Sequence, residues 1–425
     1  MSQDTAFEVA ASSIRYGPGV TCEIGMDLKD MGTRRVMVLT DPKVATLESV
    51  AIVRESLENE GVEYQLYDRV RVEPTDESFK DAIGVAQEGR FDGFVAVGGG
   101  SSIDTAKVAN LFATYPADFM DYINPPIGKG KPVPGPIKPL IAVPTTAGTG
   151  SETTGVAICD LVAIHAKTGI AHRRLKPLLG IVDPDNTKSL PPAVAAATGL
   201  DVLSHAAESY TSIPFNQRPR PERPNLRPAY QGANPISDMW AIKALRMVDQ
   251  YLIRAVKDPT DDEARGMMLL AASYAGFGFG SAGVHYPHGM SYPVSGLVRG
   301  FKPDGYEVDH PIVPHGMSVI LNAPAVFRFT SPACPQRHLE AAEALGAKVS
   351  GADAADGGRI LADRTVWFMR QLDIPNGLAA IGYSEADIPA LVEGTIPQHR
   401  VTKLSPRPAN EDELGGMFQD AMSYW

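Results

Sequence analysis

The chain has 425 residues, is 44% hydrophobic, holds three cysteines and carries 39 Lys and Arg against 50 Asp and Glu, a formal net charge of −11. At roughly 150 residues per domain this length makes two or three domains with cores of their own, which excludes a small disulfide-stapled scaffold and a disordered chain. The acidic balance argues against nucleic acid and membrane surfaces as partners, and Cys22, Cys159 and Cys334, widely spaced and without a CxxC, argue against a thiolate metal site or a disulfide framework and for a reducing compartment.

In chain order, the start MSQDTAFEVAASSIRYGPG shows neither a basic head followed by an apolar stretch nor an arginine-rich leader, so a cytoplasmic location is expected. Short β-branched runs at 36–40 (VMVLT), 63–68 (EYQLYD), 93–99 (GFVAVGG), 140–146 (LIAVPTT) and 180–184 (GIVDP) alternate with an amphipathic stretch at Ser49–Glu60. That alternation is the pattern of βαβ units and a parallel sheet. Beyond the two prolines near 191 the strand signals stop, and Ala/Leu-rich stretches at 191–211, 235–257, 261–282, 336–347 and 354–372 carry helical spacing. The predicted organisation is an α/β domain over 1–190 and an all-helical domain over 191–425. Gly266–Val284 is uncharged and long enough to span a bilayer, but its Gly, Ala and Ser content reads better as a buried helix.

Pro214–Pro228 (PFNQRPRPERPNLRP) has five prolines and four arginines, so it is neither helix nor central strand. It is a surface connection, or a loop whose Arg218, Arg220, Arg223 and Arg227 bind substrate carboxylates; a nucleic-acid patch is the weaker third reading.

Two glycine-rich loops carry chemistry. Gly98-Gly99-Gly100-Ser101-Ser102, followed by Asp104, runs from an apolar strand into a helix start, where free N–H groups suit a pyrophosphate. Thr145, Thr146, Thr149 and Ser151 line a second such loop after the next strand. Two loops at successive strand ends point to one dinucleotide laid across the sheet. Asp41, just past the strand at 36–40, suits an adenosine ribose and favours NAD over NADP by repelling a 2′-phosphate. Downstream, Asp201 and His205 stand at i and i+4 on one helix face. His285, His288, His310 and His315 follow, two of them as His-Gly pairs. One carboxylate with three imidazoles suits Fe(II) or Zn(II).

The combination GGGSSIDTAK, PTTAGTGSE, DVLSHAAES, HGMSYP and PHGM resembles the iron-containing alcohol dehydrogenases over essentially the whole chain. The resemblance implies an N-terminal α/β dinucleotide-binding domain and an all-α C-terminal metal-binding domain, the dehydroquinate synthase-like fold. By motif position it implies metal ligands Asp201, His205, His288 and His315. The pyrophosphate loop falls on Gly98 to Ser102, and the nicotinamide side on Thr145, Thr146, Thr149 and Ser151. Within the family, RPAYQGANPISDMWAIKAL, AGVHYPHGMSYPVSGLV, YEVDHPIVPHG and LVEGTIPQHRVTKLSPRP resemble the hydroxyacid-oxoacid transhydrogenases, implying oxidation of 4-hydroxybutyrate coupled to reduction of 2-oxoglutarate on a bound cofactor. An ordinary NAD-dependent alcohol or 4-hydroxybutyrate dehydrogenase is the alternative; a dehydroquinate synthase-like lyase or a non-catalytic binding protein matches the motifs less well. Many members carry a second histidine four residues after His288, where this chain has Tyr292. The candidate catalytic groups are therefore His288, with Tyr292 or His285 as proton relay. The expected partners are a small hydroxyacid or alcohol, an oxoacid or aldehyde, and a second copy of the chain in a homodimer.

Overall fold

The computed structural model describes residues 2–164 and 166–425, and the chain divides into two compact units, Ala10–Leu190 and, joined to the residues up to Val9, Pro191–Trp425. The first unit is built on a six-stranded sheet. Its strands are β1 (Ser13–Tyr16), β2 (Arg35–Leu39), β3 (Glu63–Tyr67), β4 (Gly93–Gly98), β5 (Leu140–Pro144) and β8 (Leu179–Val182), in the order β1-β8-β5-β4-β2-β3 with every pairing parallel. Alternate residues go to opposite cores: Val36, Val38, Val95 and Val97 join Ile24, Val53 and Leu57 on one face, while Met37, Leu39, Phe94 and Ala96 join Ala82, Ile103 and Ala106 on the other. Helices cover both faces, which is why β4 and β5 are buried at every position and read as continuous apolar runs.

β2 leads outward to β3, whereas β4 leads the opposite way to β5. The loops after β2 and β4 therefore diverge, opening a crevice at the carboxyl ends of the strands. Two features lie outside the sequence reading. β1 is a four-residue, half-buried edge strand, too short for periodicity to register. β6 (Val156–Leu161) and β7 (Ala166–Ala171) form an antiparallel pair, in which AKTGIA has little β-propensity of its own. Lys167 of β7 is buried there against Glu73 and Asp160, at 2.5 and 3.4 Å.

The second unit has helices and turns but no named strand among the described residues. Pro192–Thr211 begins with proline at its first position, where a missing N–H costs nothing. Pro235–Lys257 adds a reciprocal cap between Asn234 and Ser237, and Asp261 caps Asp262–Ala282 through the Ala264 N–H. These three helices pack on one another. The uncharged stretch from Gly266 lies in the third, whose Ala271, Ala272, Ala275 and Phe279 are buried. No single described helix is long and apolar enough to cross a membrane; Asp262–Ala282 with Tyr286–Gly296 passes only as a pair bent by 105°.

The proline-rich segment is ordered by the N-terminus. It contains two single 3-10 turns, Phe215–Gln217 and Pro224–Leu226, and Asp4 is buried beneath it. Asp4 Oδ2 lies 2.7 Å from Arg218, and both its carboxylate oxygens accept from Arg227, at 3.0 and 3.1 Å. Phe7 meets Phe215 edge to face at 4.8 Å, and the Gln231 amide brackets Glu8. This corrects the expectation for two of the four arginines: Arg218 and Arg227 share the one carboxylate of Asp4, while Arg220 and Arg223 point to solvent.

Candidate active site

The helical unit brings four donor side chains together. Asp201 and His205 lie one turn apart on Pro192–Thr211, His288 lies on Tyr286–Gly296, and His315 opens the helix His315–Ile320. One ligand atom from each lies within 4.8 Å of all the others. Asp201 Oδ1 is 3.6 Å from His288 Nε2 and 3.9 Å from His315 Nε2, and Asp201 Oδ2 is 3.7 Å from His205 Nδ1. Those separations are too long for hydrogen bonds. Asp201 Oδ1, His205 Nδ1 and His288 Nε2 are buried without any hydrogen-bond partner. An unsatisfied buried polar atom costs about 1–3 kcal/mol, and three of them converging is an arrangement that a divalent cation would relieve. The donor set fits such an ion. His310, paired with Asp309 at 3.0 Å, stands outside the group.

Glu208, two turns after Asp201 on the same helix, locks the arrangement. Its side chain is fully buried, with Oε1 2.6 Å from His288 Nδ1 and Oε2 accepting the His285 backbone N–H at 2.7 Å. A carboxylate can only accept, so Nδ1 carries the proton and Nε2 is turned toward Asp201. The electrostatics follow the geometry. Burial opposes charge on Asp201, but the pull of His205, His315 and His288 holds its carboxyl far below the ordinary range. Burial pushes His205 down to about 3, leaving a neutral imidazole with a lone pair to give. Burial opposes charge on His288 too, yet Glu208 reverses the balance and raises it to about 10. His285 sits with Nε2 3.0 Å from the Thr211 hydroxyl, and burial pushes it to about 3, so it stays neutral at physiological pH.

The two His-Gly pairs have a packing reason. A Cβ on Gly316 would lie 2.0 Å from the Ala197 carbonyl oxygen, so only glycine lets the His315 helix approach Pro192–Thr211. A Cβ on Gly289 would meet Thr402 at 3.0 Å, where the short helix His399–Thr402 lies against the His288 helix. Tyr292, one turn beyond His288, accepts a hydrogen bond at its hydroxyl from Arg400 Nη2 at 2.8 Å.

In the α/β unit, the two glycine-rich loops stand side by side at the ends of β4 and β5, joined by Thr145 N–H to Gly98 C=O at 3.0 Å. Gly98 has φ 149°, and a Cβ there would strike the Ser102 hydroxyl at 2.4 Å. Gly99 and Gly100 are equally confined, against Thr146 at 3.2 Å and Thr149 at 2.7 Å. No side chain caps the helix Gly100–Thr114; the Ser102 N–H turns back to the Gly99 carbonyl at 3.1 Å, and the N–H groups of Gly100 and Ser101 are left for a ligand. Asp41 uses Oδ1 on the Lys43 and Val44 N–H groups, while Oδ2 comes within 3.6 Å of the Cβ position of Gly98. Asp104 and Ser151 turn inward: the Ser151 hydroxyl donates to Asp104 at 2.6 Å, and the fully buried Lys107 reaches Ser151 at 2.6 Å and the Val156 carbonyl at 2.9 Å. Sequence reasoning did not find this lysine network. Ser101 accepts the Glu73 N–H at 3.2 Å.

The model of iron-containing alcohol dehydrogenases matches residues 11–184, and that of the C-terminal part of Fe-containing alcohol dehydrogenases matches residues 229–422. The chain belongs to the iron-containing alcohol dehydrogenase family. Among its relatives, a protein of Xenopus laevis named hydroxyacid-oxoacid transhydrogenase, mitochondrial, is 59% identical over 99% of this chain and 92% of its own. Alcohol dehydrogenase from Oenococcus oeni superimposes with a TM-score of 0.86 at 27% identity, covering 98% of this chain and all of that one. Sulfoacetaldehyde reductase from Bifidobacterium kashiwanohense, solved with NAD+, gives 0.79 at 26% identity, covering 99% and 100%. These relatives correct one expectation. The cytoplasmic location rested on the absence of a recognisable leader, and the 59%-identical relative, like others at 57–58%, is named as mitochondrial.

Proposed function

We propose that this chain is a metal-dependent, NAD-linked hydroxyacid-oxoacid transhydrogenase, oxidising 4-hydroxybutyrate to succinate semialdehyde while reducing 2-oxoglutarate to 2-hydroxyglutarate. The observation that carries the chemistry is the convergence of three partnerless buried donors, Asp201 Oδ1, His205 Nδ1 and His288 Nε2, beside His315. The substrate pair is supported by the 59% identity, over 99% of the chain, to an enzyme of that name. When bound, a divalent cation supplies Lewis acidity toward a substrate oxygen, and NAD supplies a reversible hydride acceptor.

The chain's own groups bind and orient. Asp201, His205, His288 and His315 would hold Fe(II) or Zn(II), with Glu208 fixing the ring of His288. The loop Gly98 to Ser102 would take the pyrophosphate, through the N–H groups of Gly100 and Ser101, with Thr145, Thr146 and Thr149 toward the nicotinamide and Asp41 on the ribose. Asp104 and Ser151, tied to Lys107, would shape the second loop. Tyr292 takes the role of the missing second histidine: its oxygen accepts from Arg400, which leaves its own O–H free to donate. His285, neutral and bonded to Thr211, supports the helix start instead.

Turnover of 4-hydroxybutyrate by metal-loaded protein tests the reading, once with 2-oxoglutarate and no added NAD, once with NAD and no oxoacid. Sustained semialdehyde formation in the first mixture is the expected result. Activity in the second mixture alone would make the chain an ordinary dehydrogenase, and silence in both would sink the substrate assignment.

A further inference from the structure

Arg400 is a half-buried cation with no carboxylate bonded to it among the described residues. Its Nη2 donates to the Tyr292 hydroxyl at 2.8 Å, and its guanidinium carbon lies 5.0 Å from the centre of the Tyr230 ring. Part of the residue reaches solvent, but Nη1 is sealed and has no hydrogen-bond partner. Two phenols, Tyr230 and Tyr292, face it, and no ion pair to a carboxylate is found among the described residues. Burial opposes that charge and the two phenols more than offset it, so the guanidinium stays cationic and can pair with an arriving anion. Arg218 and Arg227, by contrast, both pair with the Asp4 carboxylate.

The position is as telling as the missing partner. Tyr292 stands one helical turn from His288. On the other side, Tyr230 meets Phe279 edge to face at 6.4 Å, and Phe279 stacks on His205 at 3.9 Å. Arg400 is thus linked to His205 through two aromatic rings in series, and through Tyr292 to the helix that carries His288. Gly289 keeps the helix His399–Thr402 close to the His288 helix, since a Cβ there would crowd Thr402 at 3.0 Å.

We propose that Arg400 is the anchor for a substrate carboxylate, and that this one cation serves both half-reactions. The inference rests on the transhydrogenase reading above. In 4-hydroxybutyrate the carbon that loses hydride is joined through two methylenes to the carboxylate. In 2-oxoglutarate the carbon that gains hydride is joined through two methylenes to the distal carboxylate. The oxidised and reduced products keep the same arm. A guanidinium at one fixed distance from the Asp201 cluster therefore holds either substrate with its reacting carbon in the same place, so one site can accept the two in turn. The N–H groups not committed to Tyr292 are the ones a carboxylate would take, while Tyr292 and Tyr230 hold the fork in position.

The test compares Arg400→Gln and Arg400→Lys with the unaltered metal-loaded enzyme on 4-hydroxybutyrate and on butane-1,4-diol, which lacks the carboxylate. Succinate, which carries the arm without a reacting carbon, is titrated calorimetrically into each. Arg400→Gln is expected to lose about 30-fold or more in kcat/KM on the acid beyond any loss on the diol, and to weaken succinate by a similar factor. Arg400→Lys keeps the charge without the fork and is expected to fall between. Equal losses on acid and diol, or succinate binding within threefold of the unaltered enzyme, would overturn the proposal. If the glutamine variant does not fold, the lysine variant decides by the same acid-to-diol ratio. Turnover of the diol but not the acid by the unaltered enzyme would instead bring down the substrate reading itself, and the anchor with it.

Discussion

Glu208 shows how much of a metal centre lies outside its ligands. It is not one of the four converging donors, yet its Oε1 at 2.6 Å from His288 Nδ1 decides which nitrogen of that ring is available. Exchange for glutamine keeps the shape and removes the negative charge. Glu208→Gln is expected to weaken divalent-metal binding about 10- to 100-fold while the far-UV circular dichroism stays unchanged; metal titration followed by calorimetry reads the loss, and an unchanged affinity would show that Glu208 is only packing. The residue was within reach of the sequence, since it falls three after His205 and seven after Asp201, on their helix face. What the spacing could not give was its contact with a histidine 80 residues away.

Among the structural elements, the N-terminal strap and the proline-rich segment act as one. Ser2 and Asp4 make backbone bonds to Arg220 and Arg218, and the Asp4 carboxylate bridges Arg218 and Arg227. The Arg227 hydrogen bond, working against burial, holds Asp4 at about 2, below its ordinary 3.8. Because the folded value is the lower, the strap's contribution is complete above about pH 4 and is lost as pH falls from there through about 2. Asp4→Asn removes it at every pH. Amide exchange over residues 2–8 and 214–228, corrected for intrinsic rates, is expected to quicken about tenfold or more in that variant at pH 7, and in the unaltered chain near pH 2. Exchange that ignores both changes would mean the strap is held by Phe7 and Gln231 alone.

For the molecule as a whole, the cluster of partnerless donors makes stability depend on metal. A cation at a hundredfold excess over its dissociation constant adds about 2.7 kcal/mol, which for a unit of this size raises the melting midpoint by about 5–10 °C. Scanning calorimetry of chelated and reloaded protein checks this, and a midpoint indifferent to metal would argue against the site. The signals behind the fold are local: continuous apolar runs at β2, β4 and β5, a 3.6-residue repeat at Pro192–Thr211 and Asp262–Ala282, and the i, i+4 pairing of Asp201 with His205. Each is set by neighbours within a turn or a strand, so the sequence by itself determined the parallel sheet, the helical second half, the glycine loops and the Asp201–His205 pair, while His288 and His315 were added by what the family resemblance implies. The β6–β7 pair escaped it because weak strand-formers are held there by partners distant in sequence. The arginines mark the same boundary. Composition drew attention to Arg218, Arg220, Arg223 and Arg227, but which cation is neutralised and which is left without an anion depends on contacts between residues such as Asp4 and Arg227, 223 positions apart. Only the tertiary structure settles that, because charge pairing is decided by distance in space, and it singles out Arg400.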